Sequence, residues 1–310
     1  MRAAAILGLG CSQNNLAPFQ SGSSPNVDWH LGMPAARDQA NAVLLFGGDG
    51  TLHRHLHRLV ELGLPVLVVP VGSGNDFARA LGLRSVGDSL AAWRNFCRGA
   101  AEVRIIDLGK ITPLSGPAEA SIPENAGGAP APREPRYFAC VAGVGLDAEV
   151  SRRANRLPRW LRGHGGYTLS LLPAIAGFAP VRVKIQVVDE SIPAAPVCTT
   201  LSDQPTILAA FANTATYGGG MKIAPHANMD DGLLDLCVVR ALNPIKLFCL
   251  FPTVYFGRHL RVREVQYSQA DRFRVETESP LDVYADGEFV CRTPVEVSAE
   301  RAALKVITGK

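Results

Sequence analysis

The sequence predicts an α/β domain built on a parallel sheet, followed by an antiparallel β-sandwich domain. Three short apolar runs in the first hundred residues, AAAILGLG, AVLLFGG and PVLVVPVG, each end in glycine and alternate with helical patterns. Strands that alternate with helices favour a parallel sheet with crossover helices. Beyond Asp107 the strand-like runs follow one another with fewer helices, which is typical of an antiparallel sandwich.

Apolar spacing predicts the helices of the first domain. Leu52, Leu56, Leu59 and Val60 stand at i, i+4, i+7 and i+8, so they share one face of a helix. A second helix is predicted for the segment that Gly82 closes, because glycine commonly follows the last helical turn. Both helices directly follow a glycine-rich strand end.

These patterns predict two domains. We expect an N-terminal domain over 1–107, completed by a C-terminal strand over 297–310, and a β-sandwich domain over 108–296. Two stretches rich in Pro, Ala and Gly, 112–135 and 189–205, are expected to be solvated loops between strands.

Composition excludes several classes of protein. Among 310 residues the net charge is only +3, which is too small to indicate a nucleic-acid partner. Seven scattered cysteines without a CxxC pair predict reduced thiols and a cytoplasmic protein. No run approaches 18 uninterrupted apolar residues, so we expect no transmembrane segment. A lipid substrate would therefore be reached from the membrane surface.

The segment Gly47-Gly48-Asp49-Gly50-Thr51 ends a strand and opens a helix. Backbone N–H groups at such a position can bind an anion, and glycines let phosphate oxygens approach closely. Asp49 would repel a phosphate unless a divalent cation lies between them, or unless it meets an acceptor hydroxyl. The alternative is a tight strand-to-helix turn with Asp49 near the N-cap.

A second turn of the same kind, Gly72-Ser73-Gly74-Asn75, ends the next apolar run and again precedes a helix. The carboxyl ends of parallel strands meet at one edge of the sheet, where α/β proteins bind their ligands. Two such turns side by side predict a phosphate-binding site more strongly than either turn alone.

Five motifs in order give the chain its resemblance to a known family: GGDGT, VPVGSGNDFAR, FACVAGVGLDAEV, YGGGMKIAPHANMDDGLLDL and VYADGE. The sequence resembles the diacylglycerol-kinase catalytic-domain family of lipid kinases, relatives of sphingosine and ceramide kinases. GGDGT alone also occurs in NAD kinases, whereas the longer C-terminal motifs favour the lipid-kinase branch. The resemblance implies a Rossmann-like first domain of the NAD-kinase and lipid-kinase type.

The resemblance also implies an activity and its cofactors. ATP and Mg²⁺ would serve transfer of the γ-phosphate to a lipid hydroxyl, such as that of diacylglycerol, in a cleft between the domains. The protein would be peripheral to the membrane, and a homodimer remains open. The nucleotide contacts would fall on Gly47–His53 and on Ser73, with Gly74 and Asn75 beside it.

The resemblance further implies the catalytic residues. Glu288 matches the general base, Asp286 stands beside it, and Asp49 would organise the catalytic Mg²⁺ or the acceptor. From the residues alone, Asp286-Gly287 predicts a hairpin turn, because Asp-Gly between strand-like runs is a strong turn signal. Both interpretations can hold, since a turn can present Glu288 to a substrate.

A second, structural Mg²⁺ site is implied in NMDDGLLD. Its ligands would be the carbonyl groups of Asn228 and Leu233 and the carboxylate of Asp231. Oxygen ligands from a turn suit Mg²⁺. The alternative is a plain polar turn that precedes a strand.

The sequence departs from the family at His53-Arg54, where members usually carry Asn-Glu. The reversed charge either strengthens γ-phosphate binding or removes a needed acidic contact. The family's Asn-Pro-x-x-Gly loop after the first strand is also missing. These departures leave one alternative to a lipid kinase, a degenerate, non-catalytic protein that binds nucleotide or lipid. GGDGT leaves a second, an NAD-kinase-type enzyme with a soluble substrate, which the motifs of the second domain disfavour.

A basic segment in the second domain is either a site for anionic lipid or an ordinary charged helix surface. Its residues are Arg152, Arg153, Arg156, Arg159, Trp160 and Arg162.

Overall fold

A computed structural model describes residues 1–21, 27–114, 134–156, 173–175, 177–189 and 197–309. The strands are β1 Arg2–Leu7, β2 Asp28–Leu31, β3 Ala42–Gly47, β4 Val66–Pro70, β5 Val103–Pro113, β6 Arg136–Phe138, β7 Val141–Gly145, β8 Val181–Asp189, β9 Val197–Ala212, β10 Leu234–Arg240, β11 Val265–Ala270, β12 Arg272–Thr277, β13 Asp282–Ala285, β14 Glu288–Arg292 and β15 Val295–Ile307. The helices are α1 Gln13–Ser21, α2 Asp49–Leu62, α3 Asp76–Ala80, α4 Val86–Cys97, α5 Leu146–Arg156 and α6 Pro244–Val254, with 3₁₀ turns at Arg37–Gln39 and Arg258–Arg261.

The N-terminal part is the predicted parallel sheet. Strands β2, β1, β3 and β4 are neighbours in that order, and each pair runs parallel. The predicted helix is α2, which buries Leu52, Leu56 and Leu59 against the sheet core. Because α2 starts directly after β3 and α3 follows β4, both glycine-rich turns lie at the carboxyl edge of this sheet.

The C-terminal part is antiparallel, as the sequence predicts. Strand β9 pairs with β7, β8 and β10, and β13 pairs with β7 and β14. The last strand, β15, pairs antiparallel with β5 and β12 and meets β4 in parallel at Val306↔Val66. The fold class is therefore confirmed, whereas the division at residue 107 stays a prediction, since β5 and β15 continue from one part of the sheet into the other.

The loop predicted over 189–205 is wrong in its second half. Residues from Val197 onward belong to β9, which pairs with β8 as far as Val181↔Thr206. The outer half of β9 is exposed, so its sequence lacks the apolar alternation that normally marks a strand. Hydrogen bonds to β8 hold this segment in the sheet, although it has no buried face.

The helices of the described ranges do not include one that is both long and apolar enough to cross a bilayer.

Candidate active site

The two glycine-rich turns pack directly against each other. A Cβ on Gly72 would lie 2.4 Å from Cα of Gly48, and a Cβ on Gly74 would lie 2.8 Å from Oδ2 of Asp49. Both distances are shorter than the contact distance of two nonbonded carbon atoms or of a nonbonded carbon and oxygen atom, so a side chain at either position would clash. The glycines at these positions are therefore required by the contact between the turns, whatever ligand they bind.

Asp49 joins the first turn to the second. Its Oδ2 and Oδ1 accept hydrogen bonds from the backbone N–H groups of Asp76 and Phe77, at 3.0 and 3.1 Å. Burial, opposed by these N–H groups and reinforced by nearby carboxylates, raises the pKa of Asp49 to about 6. The carboxylate thus holds the first turn of α3, rather than the N-terminus of its own helix.

The second turn is closed by its own side chain. Asn75 adopts a left-handed backbone conformation (φ 53°), and its side-chain amide exchanges hydrogen bonds with the N–H and C=O of Gly72 at 3.1 and 2.6 Å. Ser73 is exposed at the tip of the turn. Asp76, the next residue, accepts the N–H of Gly219 at 2.8 Å and so connects the turn to the triple-glycine loop.

Asp286-Gly287 forms the predicted hairpin turn between β13 and β14, with φ of 50° and 83°. The Asp286 carboxylate is 1% exposed and accepts the N–H groups of Ala139 and Cys140 at 2.8 Å and of Val141 at 3.3 Å. His53 Nδ1 on α2 lies 3.3 Å from its Oδ2. Asp286 therefore connects the hairpin both to the start of β7 and to α2.

Glu288 lies above the N-terminal turn of α2. A Cβ on Gly50 would lie 3.1 Å from its Oε1, and Nη2 of Arg54 lies 3.4 Å from the same oxygen. His53 and Arg54, the two residues at which the sequence departs from the motif that it resembles, thus face Asp286 and Glu288 respectively. The carboxylate stays partly exposed and can meet a substrate.

A cleft of about 560 Å³ opens between these elements. It is lined by Gly47–Thr51, by Gly72, Ser73 and Gly74, by Arg54, and by Asp286. Glu288 lies beside it, in a neighbouring hollow of about 320 Å³ that shares Arg54. Within the described residues, Asn75 is not among the groups lining the cleft, because its side chain closes the turn from behind.

Sequence reasoning missed Asp147, the second residue of α5, within the quoted motif FACVAGVGLDAEV. Its side chain is buried (6% exposed) and lines both the cleft and a small apolar pocket of about 60 Å³. A Cβ on Gly143 would lie 2.1 Å from its Oδ2, so this glycine makes room for the carboxylate. The apolar pocket is lined chiefly by Leu146, Val150, Met221, Ile223, Leu247 and Leu250.

Sequence reasoning also missed Leu9, in the loop after β1. Its side chain is 68% exposed and lines the cleft. The loop stands where the family's Asn-Pro-x-x-Gly motif would be, and an apolar residue there carries no signal that sequence patterns could detect.

The turn predicted to hold a second Mg²⁺ fits a cation poorly. Asp231 is exposed, and its Oδ1 accepts the N–H of Leu233 at 3.0 Å. Two guanidinium groups approach the turn: Arg104 pairs with Asp230 at 2.8 Å, and a Cβ on Gly232 would lie 2.4 Å from Nε of Arg301. These positive charges oppose a divalent cation, so the described geometry favours a polar turn before β10, and the second Mg²⁺ site stays a prediction.

No cluster of three or more His, Cys, Asp or Glu side chains suited to a metal occurs in the described part of the chain. The carboxylates of Asp49, Asp76 and Asp286 lie along the cleft, yet each one accepts backbone N–H groups. They fit a cation that arrives already bound to phosphate oxygens, which is how Mg²⁺ commonly enters nucleotide sites.

Comparison with known proteins decides the family. Residues 18–111 match the diacylglycerol kinase catalytic domain, and residues 140–308 match the YegS C-terminal NAD kinase beta sandwich-like domain. A diacylglycerol kinase of Mycobacterium tuberculosis is 34% identical over 280 residues, which cover 90% of this chain and 80% of that protein. The chain belongs to the diacylglycerol kinase family of lipid kinases.

Solved structures confirm the fold. A diacylglycerol kinase from Bacillus anthracis superposes with a TM-score of 0.62 at 16% identity, covering 99% of this chain and 96% of that one. An NAD kinase from Archaeoglobus fulgidus in complex with ATP superposes with a TM-score of 0.50 at 12% identity, covering 100% and 94%. At such identities the likeness concerns the fold alone, so membership of the lipid kinase family rests on the sequence matches.

Proposed function

We propose that this lipid kinase transfers the γ-phosphate of ATP, with Mg²⁺, to a hydroxyl group of a diacylglycerol-like lipid in the cleft described above. The observation that carries the proposal is the position of Glu288. It lies above Gly50, at the N-terminus of α2, although the two residues are far apart in sequence. A carboxylate thus faces a turn that is suited to phosphate.

The nucleotide phosphates would occupy the paired turns. Backbone N–H groups of Gly48 and Gly50 and the exposed Ser73 offer hydrogen bonds there, and the dipole of α2 favours negative charge. Gly47 lines the cleft as the last residue of β3, which pairs with β4. Thr51 packs inward, since a Cβ on Gly47 would lie 2.5 Å from its Cβ. Its side chain would support the turn from within.

Mg²⁺ would enter with the nucleotide, near Asp49 and Asp286, and would neutralise charge on the transferred phosphoryl group. Burial and neighbouring carboxylates raise the pKa of Asp49, so ionising this side chain costs free energy. A nearby cation would lower that cost, which supports the assignment. The turn at Asn228, Asp231 and Leu233 takes no part in the proposal.

The acceptor lipid would lie between Asp147 and the apolar pocket. The buried carboxylate of Asp147 lines both the cleft and the pocket, so it can hold a hydroxyl where polar and apolar surroundings meet. Glu288 lies in the neighbouring hollow, so the proposal requires the reacting hydroxyl to extend from Asp147 across the cleft to Glu288, which would accept its proton. Asp286 would act as a positioning residue, because its contacts fix the hairpin that carries Glu288.

Transfer of label from [γ-³²P]ATP to a panel of lipids and to NAD tests the proposal. We expect label in a lipid such as diacylglycerol with the wild type, and almost none with Glu288→Gln. Label in NAD alone would establish the soluble-substrate alternative. Bound ATP with no label in any acceptor would establish the non-catalytic one.

A further inference from the structure

Helix α6 is apolar on both of its faces. Leu247, Leu250, Phe251 and Val254 point inward, at i, i+3, i+4 and i+7, and line the apolar pocket. An outer stripe follows the same spacing on the opposite side. It consists of Ile245, Phe248, Cys249, Pro252 and, just past the helix end, Phe256.

The outer stripe is unusually exposed for its composition. Ile245 is 78%, Phe248 53% and Phe256 72% accessible to solvent. Scattered exposed apolar residues are normal on a protein surface, whereas several large ones on one helix face mark an interaction surface. We therefore expect the stripe to bind a partner whose surface is itself apolar.

The charges around α6 indicate which partner it is. The segment 241–263 contains no Asp or Glu, but it contains Lys246, Arg258, Arg261 and Arg263. Lys246 pairs with Glu264, directly after this segment, at 2.6 Å, whereas the three exposed arginines follow the helix within nine residues of its end. An apolar helix face flanked by cations is the pattern of a helix that lies in the surface of an anionic bilayer.

The stripe is also continuous with the proposed substrate path. The other face of the same helix lines the apolar pocket, and Tyr255, between the helix end and Phe256, lines the cleft. A bilayer on the outer face would thus be separated from the pocket by one helix.

We propose that the outer stripe of α6 is the surface through which the protein docks on an anionic lipid bilayer. The inference rests on the proposed function only in naming a membrane lipid as the substrate. The basic segment named above contributes less here: Arg152 and Arg153 both pair with Glu149, at 2.6 and 2.5 Å. Its remaining members, Arg156, Arg159, Trp160 and Arg162, lie outside the described side chains.

Sedimentation with vesicles tests the docking surface. We expect the wild type to bind vesicles that contain phosphatidylglycerol more tightly than vesicles of phosphatidylcholine alone. Replacing one Phe or Ile that docking would bury in the bilayer by Ser should weaken vesicle binding roughly tenfold, so Phe248→Ser and Ile245→Ser are the test variants. Ile105→Ser is the matched control, because Ile105 is 51% exposed but lies on β5. Equal loss in the control, or equal binding to both vesicles, would overturn the proposal.

A fluorescent label locates the surface directly. Cys249 and Cys198 are both exposed, but only Cys249 belongs to the stripe. An environment-sensitive dye on Cys249 in a Cys198→Ser background should shift to the blue when anionic vesicles are added. The same dye on Cys198 in a Cys249→Ser background should not. A shift at Cys198 alone would place the membrane elsewhere.

Two further measurements separate this inference from the proposed function. Phe248→Ser should keep wild-type activity on a short-chain diacylglycerol dissolved as monomers, and lose activity on vesicles. If the wild type binds vesicles but transfers no phosphate, the docking proposal stands and the proposed function is wrong. If Phe248→Ser instead converts a dimer to a monomer and leaves vesicle binding unchanged, the stripe is an interface between two copies of the chain.

Discussion

Nη2 of Arg54 on α2 lies 3.4 Å from Oε1 of Glu288 on β14, although the two residues are separated by 234 positions. One helical residue earlier, His53 faces Asp286 in the same way. His53 and Arg54, where the resemblance leads us to expect Asn-Glu, thus place two nitrogen-bearing side chains against two carboxylates. Both side chains of the Arg54–Glu288 pair are more than a third exposed, so the pair contributes little to folding stability. Its importance lies in the site.

Arg54→Ala should weaken ATP use and leave the fold intact. Because Arg54 lines the cleft at the phosphate-facing end of α2, we expect the KM for ATP to rise roughly tenfold, while Tm changes by less than about 2 °C. Arg58→Ala is the control, since Arg58 lies one turn further along and pairs with Glu61. An unchanged KM for ATP would show that Arg54 does not contact the nucleotide.

Glu288→Gln should slow the chemical step selectively. Loss of a general base typically reduces kcat by roughly 10²–10⁴, and the nucleotide phosphates do not depend on this side chain for binding. Steady-state kinetics together with equilibrium ATP binding measure the two effects. Glu276→Gln, a similarly exposed carboxylate on β12, should behave as wild type. Full turnover by Glu288→Gln would exclude it as the base.

Asp286→Asn should affect both stability and rate. An amide offers a single acceptor oxygen, so at least one of the three buried N–H groups loses its partner, at a cost of roughly 1–3 kcal/mol. We expect a lower Tm, and a lower kcat because the hairpin holds Glu288 less firmly. Asp203→Asn is the control, because Asp203 lies on β9 in an exposed pair with Arg182; it should change neither Tm nor kcat. A normal kcat with a reduced Tm would make Asp286 purely structural.

Asp49 should give a measurable pH dependence. Its pKa is raised to about 6 in the folded protein, so the folded state favours the protonated form. The stability that this confers is fully present below the unfolded pKa of about 4 and is lost as pH rises through about 6. The free energy of unfolding of the wild type, relative to Asp49→Asn, should therefore fall between these values. Carbon-13 NMR of the carboxyl group measures the pKa; a value near 4 would contradict the burial argument.

Gly72→Ala should disturb the paired turns. The added Cβ would meet backbone atoms of Gly48 at 2.4 and 2.6 Å, so neither a rotamer change nor a side-chain shift relieves the contact. We expect the turns to separate and ATP binding to weaken markedly, measured by calorimetry. Gly87→Ala in α4 is the control, because its added Cβ has a nearest contact of 3.5 Å and alanine favours a helix. Wild-type ATP affinity in Gly72→Ala would show that the turns act independently.

Much of the fold could be predicted because its signals are local. Apolar runs that end in glycine predict the parallel strands, and the spacing of Leu52, Leu56 and Leu59 predicts α2. The outer half of β9 could not be predicted, because it is held by hydrogen bonds to β8 and has no buried face that would give an apolar pattern. In the candidate site, too, local features could be predicted and contacts between distant segments could not.

The sequence by itself determined that two glycine-rich turns follow neighbouring strands, and that an Asp-Gly turn precedes Glu288. Only the tertiary structure decided why those glycines are needed: Gly72 packs on Gly48, and Gly74 packs on Asp49. It also decided that Asp286 binds the backbone of residues 139–141 and that Arg54 faces Glu288. These contacts join segments up to 234 residues apart, and their partners are set by how the strands are ordered in the sheet, which no local pattern encodes.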